Sequence, residues 1–168
     1  MPVCLALAAC VTEPEVYAPP AQRKPFAEIL TRSQPLLDMS DPAVEQHFVQ
    51  DIARGPQATP WRWTGKRPTV RIALRSTANY RYHMEFAVAD PTFKDTGPVT
   101  ITYFVNDTPI ESVRYDSPGK KTYDKPIPMH LLKPMADNVL AAEIDKTWSG
   151  GKNGPPLGII LVNIGLVQ

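Results

Sequence analysis

An all-β fold, an antiparallel β-sandwich with a short N-terminal helix packed against it, is predicted by three observations. From residue 70 onward apolar and polar residues alternate with the period of a strand that buries one face. Clusters of Gly, Pro, Asn, Asp and Ser separate these runs at short intervals, the pattern of a sandwich or barrel. Proline occurs 19 times in 168 residues, roughly twice the ~5% typical of proteins, which favours turns and strands over long helices. The length suits one ordinary domain and an extended tail.

Three segments are expected: residues 1–10 as a signal-like segment, 11–40 as a Pro-rich tether and irregular stretch, and 41–168 as the helix plus sandwich. Both cysteines, Cys4 and Cys10, fall in the first segment, so the remainder has no thiol for a disulfide or a thiolate metal site. Residues 1–11 form an apolar run of small residues, the composition at the end of a secretory signal. After Cys10 the chain is polar and proline-rich and suits a flexible tether. No stretch reaches the ~20 apolar residues that a membrane-spanning helix needs.

Between residues 26 and 37 two short apolar groups, Phe26-Ile29-Leu30 and Leu36-Leu37, flank Pro35, so any helix there is brief. A better helix is expected from Asp41: Asp41 caps it, Pro42 takes its first position, and Val44, Phe48 and Ile52 recur every fourth residue until Gly55-Pro56. Strands follow. Val70, Ile72 and Leu74 mark the first, and Tyr80, Tyr82, Met84, Phe86 and Val88 the second. Val99, Ile101, Tyr103 and Val105 form the third, with Thr100 and Thr102 on its outer face. Asn106-Asp107 turns into a strand over residues 110–115, and Ser117-Pro118-Gly119 turns again. Pro126 and Pro128 place the next strand at a sheet edge. A helical turn near His130 closes at Pro134, Asp137-Asn138 leads into a strand over residues 139–144, and the apolar run 157–167 reads as a central strand buried on both faces.

Two resemblances sharpen this picture. The tetrapeptide Leu7-Ala8-Ala9-Cys10 resembles the bacterial lipobox, which implies lipidation of Cys10, export and attachment to the membrane through the lipid alone; Val11 after the cysteine suggests the outer membrane of a Gram-negative envelope, or otherwise the periplasmic side. Residues 96–167 resemble the galactose-binding-like jelly-roll family found as carbohydrate-binding modules. The carrying pieces are the strand from Val99 to its terminal Asn106, Ile127-Pro128-Met129-His130-Leu131-Leu132-Lys133-Pro134, Asp137-Asn138-Val139-Leu140 and Leu157-Gly158-Ile159-Ile160-Leu161. The wider segment 61–167 also looks like a family of uncharacterised bacterial proteins, through Trp61-Arg62-Trp63-Thr64 and residues 92–98. These resemblances imply a jelly roll and assign no catalytic residue, because one fold hosts unrelated functions.

The candidate ligand-binding residues are Trp61, Arg62 and Trp63 before the first strand, with Trp148 in the loop between the last two. Sugar rings stack on aromatic faces while charged and amide groups bond their hydroxyls. The alternative, and the favoured one, is that Trp61 and Trp63 pack under the helix or plug one end of the sandwich, as Trp usually does. Glu85, Glu111, Glu143, Asp90, Asp95 and Asp145 are the carboxylates from which a glycosidase pair would have to come. His47, His83 and His130 lack metal-ligand spacing, so no transition metal is assigned. The polar connection 90–98 offers Asp90 and Asp95 to a structural calcium ion; no other cofactor is expected. Residues 150–154 are Gly-rich, but no Ser or Thr follows the Gly-Lys pair, so this is a loop and not a phosphate cradle.

The formal net charge is +1, which supplies no field for nucleic acid. The function these features support is an envelope-anchored, non-catalytic binding module with carbohydrate as the candidate ligand. A structural lipoprotein docking onto an envelope protein complex through residues 26–37 is the alternative. A glycan-active enzyme is the weakest reading, since it requires two carboxyl groups converging in one aromatic cleft.

Overall fold

The structure, a computed structural model, describes residues 35–55, 59–149 and 154–168. Cys10, the tether before Pro35 and the centre of the Gly-rich loop lie outside the described residues.

Eleven strands are described: β1 (Leu36–Asp38), β2 (Phe48–Ile52), β3 (Arg62–Leu74), β4 (Arg81–Val88), β5 (Val99–Val105), β6 (Thr108–Tyr115), β7 (Gly119–Pro126), β8 (Ala136–Ile144), β9 (Trp148–Ser149), β10 (Pro156–Leu157) and β11 (Ile160–Val167). Hydrogen bonds link them in the order β6-β5-β8-β3-β11-β4-β7, with β1 beside β11 and β2 beside β3. The pairing is antiparallel throughout. β3 joins the two layers: Arg62 and Trp63 pair with Leu161 and Ile160 of β11, whereas Thr69 to Leu74 pair with β8.

The alternating residues meet between the layers as expected. Ile72, Tyr82, Met84, Ile101, Tyr103, Leu140 and Leu161 are completely buried in one cluster, each contributing about 1.5–3 kcal/mol by leaving water. β7, with its prolines, lies at the end of the strand path, where its outer N–H groups need no partner. β11 is central, with β1 and β4 at its edges, but Leu161, Ile164, Gly165 and Leu166 are buried while Ile160, Val162, Asn163 and Val167 are only partly so, so it is not buried on both faces along its whole length as its apolar run predicts. The β5–β6 turn places Asn106 and Asp107 at φ 47° and 64°, the left-handed pair that a two-residue hairpin requires and that Asn and Asp tolerate.

The residues that carry the jelly-roll resemblance form a structural lock. Asn106 Nδ2 donates to Leu131 O at 2.7 Å and to Asn138 Oδ1 at 3.0 Å, while its own Oδ1 accepts from Val139 N at 2.9 Å. Asn138, fully buried, accepts from Lys133 N and donates to Lys133 O and Ala136 O. Two asparagines thus satisfy the backbone of the Leu-Lys-Pro corner, which would otherwise leave polar groups stranded in the interior.

Four elements differ from the sequence reading, the first being β3, which begins at Arg62 and so includes Arg62 and Trp63, read as preceding the strand at Val70. The helix expected over residues 41–55 is only a 3-10 helix, Pro42–His47, after which the chain becomes β2. Its start is as expected, with Asp41 Oδ1 accepting from Ala43 N at 2.8 Å and Pro42 at the first position. Val44, Phe48 and Ile52 are buried as expected, but a spacing of four is an even number of strand residues as well as about one helical turn, so it does not separate the two periods. The connection after β4, read as a polar loop, forms helix α1 (Asp90–Thr96), begun by Pro91 and ended at Gly97 with φ 68°. Leu36–Asp38, in the stretch read as irregular, pairs with β11, and Leu37 is completely buried there.

Candidate functional site

The four candidate ligand-binding residues are held in different ways. Along β3 side chains alternate between faces, and Arg62 takes the inward one. Only 2% of Arg62 is exposed. Its Nη1 donates to Glu45 Oε1 at 2.8 Å and to the carbonyls of Ala53 and Gly55 at 3.1 and 3.2 Å. Its Nε reaches Met39 O at 3.4 Å, and its guanidinium lies 5.5 Å from the centre of the Phe48 ring. Through these Nη1 and Nε bonds Arg62 fastens residues 39–55 to β3, and its burial turns the guanidinium away from solvent.

Trp61 and Trp63 flank Arg62 in sequence and are half-buried. Their ring centres are 6.2 Å apart and their planes cross at 86°. This edge-to-face contact is favourable in itself, but it rules out a continuous coplanar platform made by the pair. Trp148 lies on the short β9–β10 ribbon opposite Leu157. Its indole N–H donates to Asp95 Oδ2 at 2.6 Å, so the side chain is tied to α1.

Trp63 lines an open cavity of about 380 Å³ that β2, the start of β3 and the segment before β11 build together. Ile52, Pro155, Pro156 and Leu157 supply apolar wall, and Asp51 and Lys66 supply charge. This volume is near the lower end of the ~300–1,000 Å³ range of small-molecule sites.

The charged residues are delivered by an irregularity shared between two strands. The β2–β3 register shifts between Gln50, which pairs with Thr69, and Ile52, which pairs with Thr64. The intervening residues of β3, Gly65 to Pro68, therefore bulge out of the ladder, consistent with Pro68 having no N–H to donate. Opposite the bulge Asp51 has φ 56°, and its Oδ2 accepts from Arg67 N at 2.7 Å. A Cβ on Gly65 would stand 2.9 Å from the Asp51 carboxyl carbon, so glycine makes room for that carboxylate. Gly158 is needed for the same packing: a Cβ there would lie 2.3 Å from Gly65 O. The ladder closes with Gly158 N donating to Thr64 O at 2.7 Å and Thr64 N to Ile159 O at 3.0 Å.

Sequence reasoning missed Asp51 and Lys66. Asp51 lay in a stretch read as helix. The interruption Gly65-Lys66-Arg67-Pro68 inside a strand was the available signal.

The six acids considered for catalysis are dispersed. Glu85 accepts from Asn163 Nδ2 at 2.7 Å on the outer face of β4, Glu111 pairs with Lys125 at 3.0 Å, and Glu143 lies 3.5 Å from Arg67. Asp145 accepts from Thr100 N at 2.8 Å, Asp95 holds Trp148, and Asp90 sits in the first turn of α1. None of the six lines the Trp63 cavity. His47 bonds Arg71 O through Nδ1 at 3.0 Å, while His130 lies in the 3-10 turn after β7. His83 joins Asp124 at 3.0 Å, and Arg81 pairs with the same carboxylate; these hydrogen bonds, His83's first, hold Asp124 below its ordinary pKa of 3.8. Among the described residues no three His, Cys, Asp or Glu side chains converge on a metal position. The stretch considered for calcium, 90–98, is largely helix α1, in which Asp95 is engaged by Trp148.

The architecture has a counterpart among solved structures. A family 35 carbohydrate binding module from an environmental isolate aligns with TM-score 0.51 and 17% identity over 79% of this chain and 92% of the module. The fold is a jelly-roll β-sandwich. A family 35 module from Clostridium thermocellum aligns over 81% of this chain and 100% of its own, with TM-score 0.46 and 11% identity. An exo-beta-1,3-galactanase from Phanerochaete chrysosporium aligns over 80% of this chain but only 29% of its own, with TM-score 0.42 and 14% identity. No protein-family model and no curated protein matches the sequence, so the resemblance of residues 61–167 to a bacterial family rests on their motifs alone.

Proposed function

We propose that this chain is a non-catalytic carbohydrate-binding module, exported and held at the cell envelope by a lipid on Cys10. The observation that carries the binding reading is the half-exposed Trp63 indole on the wall of an open cavity of about 380 Å³. An indole face offers apolar contact to sugar C–H groups, and the adjacent Asp51 and Lys66 offer an acceptor and a donor to hydroxyls. The jelly-roll fold is shared with a structure described as a family 35 carbohydrate binding module, which supports the reading without naming a sugar. Dispersal of the six acids favours binding over hydrolysis, for which two carboxyl groups must flank one bond.

Docking onto an envelope protein through residues 26–37 draws less support. Within that stretch Leu37 is completely buried and paired to β11, so this part is already engaged by its own sheet.

The test is binding of the full chain, carrying Cys10→Ala to keep it unlipidated, to a glycan array. Trp63→Ala should keep the fold by circular dichroism and weaken glycan binding at least about tenfold, the loss expected for removing a stacking face of ~1–3 kcal/mol. Saturable binding that survives in a folded Trp63→Ala variant places the sugar elsewhere, and absence of binding to every glycan removes the carbohydrate reading. Lipidation is read separately, by palmitate incorporation into the unmodified chain in a bacterial host and its loss in Cys10→Ala.

A further inference from the structure

We infer that the Trp63 cavity selects a neutral sugar residue over an acidic one, with Asp51 as the residue that sets this choice. The inference rests on the carbohydrate reading of the cavity and adds the class of sugar and the atoms that recognise it.

Asp51 and Lys66 line the same cavity, yet they are not paired with each other, and Lys66 makes no ion pair among the described residues. The two charges differ in how firmly they are held. Asp51 is fixed twice. Its backbone sits in the left-handed region at φ 56°, and its Oδ2 is bound by Arg67 N at 2.7 Å. Its Oδ1 lies 3.1 Å from where a Gly65 Cβ would stand, and it accepts no hydrogen bond from the described residues. Lys66 is exposed and carries its ammonium on a flexible four-carbon stem.

A fixed acceptor with an open lone pair suits a hydroxyl, which donates one hydrogen bond and accepts others. One sugar hydroxyl donates to Asp51 Oδ1, a neighbouring one accepts from the Lys66 ammonium, and the C–H face of the ring rests on Trp63. A uronate carboxylate in this position would face a preorganised negative charge at short range. The mobile lysine compensates poorly, because its charge is already hydrated and must be ordered to help. The backbone beside it leaves room for this role: Asp51 is exposed, and Gly65 carries no side chain where a Cβ would crowd the carboxylate.

The discriminating variant is Asp51→Asn. Asparagine tolerates the left-handed backbone, and its amide oxygen can keep the bond from Arg67 N, so the fold and its melting temperature should be retained. What changes is the charge and the exposed acceptor. Binding of the full Cys10→Ala chain is measured by titration on matched array panels of neutral hexose oligosaccharides and of uronic-acid oligosaccharides. The expected result is a neutral preference in the parent chain, a roughly tenfold or greater loss of neutral binding in Asp51→Asn, as for deletion of a hydrogen bond to a charged group, and a narrower gap between the panels. Lys66→Gln, at an exposed position whose change leaves the fold intact, should weaken neutral binding by about three- to tenfold and serves as the second variant should Asp51→Asn melt early. Tighter binding of uronates by the parent chain, or neutral binding unchanged in a folded Asp51→Asn, overturns the selectivity while leaving a carbohydrate module standing. Failure of the parent chain to bind either panel instead sinks the carbohydrate reading itself, and the selectivity with it.

Discussion

The aromatic residues of this jelly roll fall into two groups with opposite fates. Tyr82, Tyr103 and Tyr123 pack between the layers: Tyr103 stacks on Tyr123 with ring centres 3.5 Å apart and planes 3° from parallel, and Tyr82 meets both edge-on at 5.7 and 5.5 Å. The Tyr103 hydroxyl bonds that of Tyr115 at 2.7 Å, while Tyr82 OH has no partner among the described residues. Trp61, Trp63 and Trp148 are all half-buried at the margins of the strands. Both groups contain aromatic rings with a polar handle, yet only the second leaves a ring beside open space. Aromaticity supplies stacking surface; position at a register break, where β2 and β3 lose their regular pairing, is what exposes it.

The contrast can be broken most completely at alkaline pH. Burial first of all, and its tyrosine neighbours next, push the Tyr82 and Tyr103 hydroxyls well above their ordinary value of 10.0. For a group raised in the folded state, the stabilisation is fully present below the unfolded value and is lost as pH climbs above it. Absorbance of tyrosinate is therefore expected to rise for these residues only as the fold is lost, at pH above 10.0, in step with circular dichroism. Ionisation of all the tyrosines near their ordinary value in a still-folded chain would contradict the burial described here. Tryptophan has no group that titrates in this range, so the Trp63 stacking face should persist until the same transition.

A second, smaller break comes from truncation. Tyr103→Ala should cost about 3–5 kcal/mol, as for other large aromatic side chains removed from a core, measured by urea denaturation. The smallest effect is expected at Trp148→Phe, which keeps a ring but removes the indole N–H held by Asp95. With the site half-exposed, the loss should be about 0.5–1 kcal/mol, and glycan binding at Trp63 should be unchanged. A loss of binding in that variant would place Trp148 in the site and erase the distinction drawn among the three tryptophans.

Much of the fold was legible in the residues because alternation is a direct imprint of a half-buried sheet. Val70, Ile72 and Leu74, the run from Tyr82 to Val88 and the run from Val99 to Val105 all bury the side expected of them. The edge position of β7 followed from its prolines, and the Asn106-Asp107 turn from its tolerance of positive φ. The candidate site was legible only in part. Trp63 was named for its chemistry and does line a cavity, but Arg62, named with it, faces inward and is consumed by Glu45 and three backbone carbonyls.

The amino-acid sequence by itself determined the sandwich, the buried faces of the strands at 70–74, 82–88 and 99–105 and the Asn106-Asp107 turn, because periodicity and φ preference act over a few neighbouring residues. Tertiary structure alone decided that residues 48–52 are strand and not helix, since a four-residue spacing fits both until a partner strand supplies the hydrogen bonds. It alone also brought Asp51, Lys66, Trp63 and Leu157 around one cavity, because that gathering depends on a slipped register between β2 and β3 and on the close approach of Gly65 to Gly158, contacts between residues far apart in the chain.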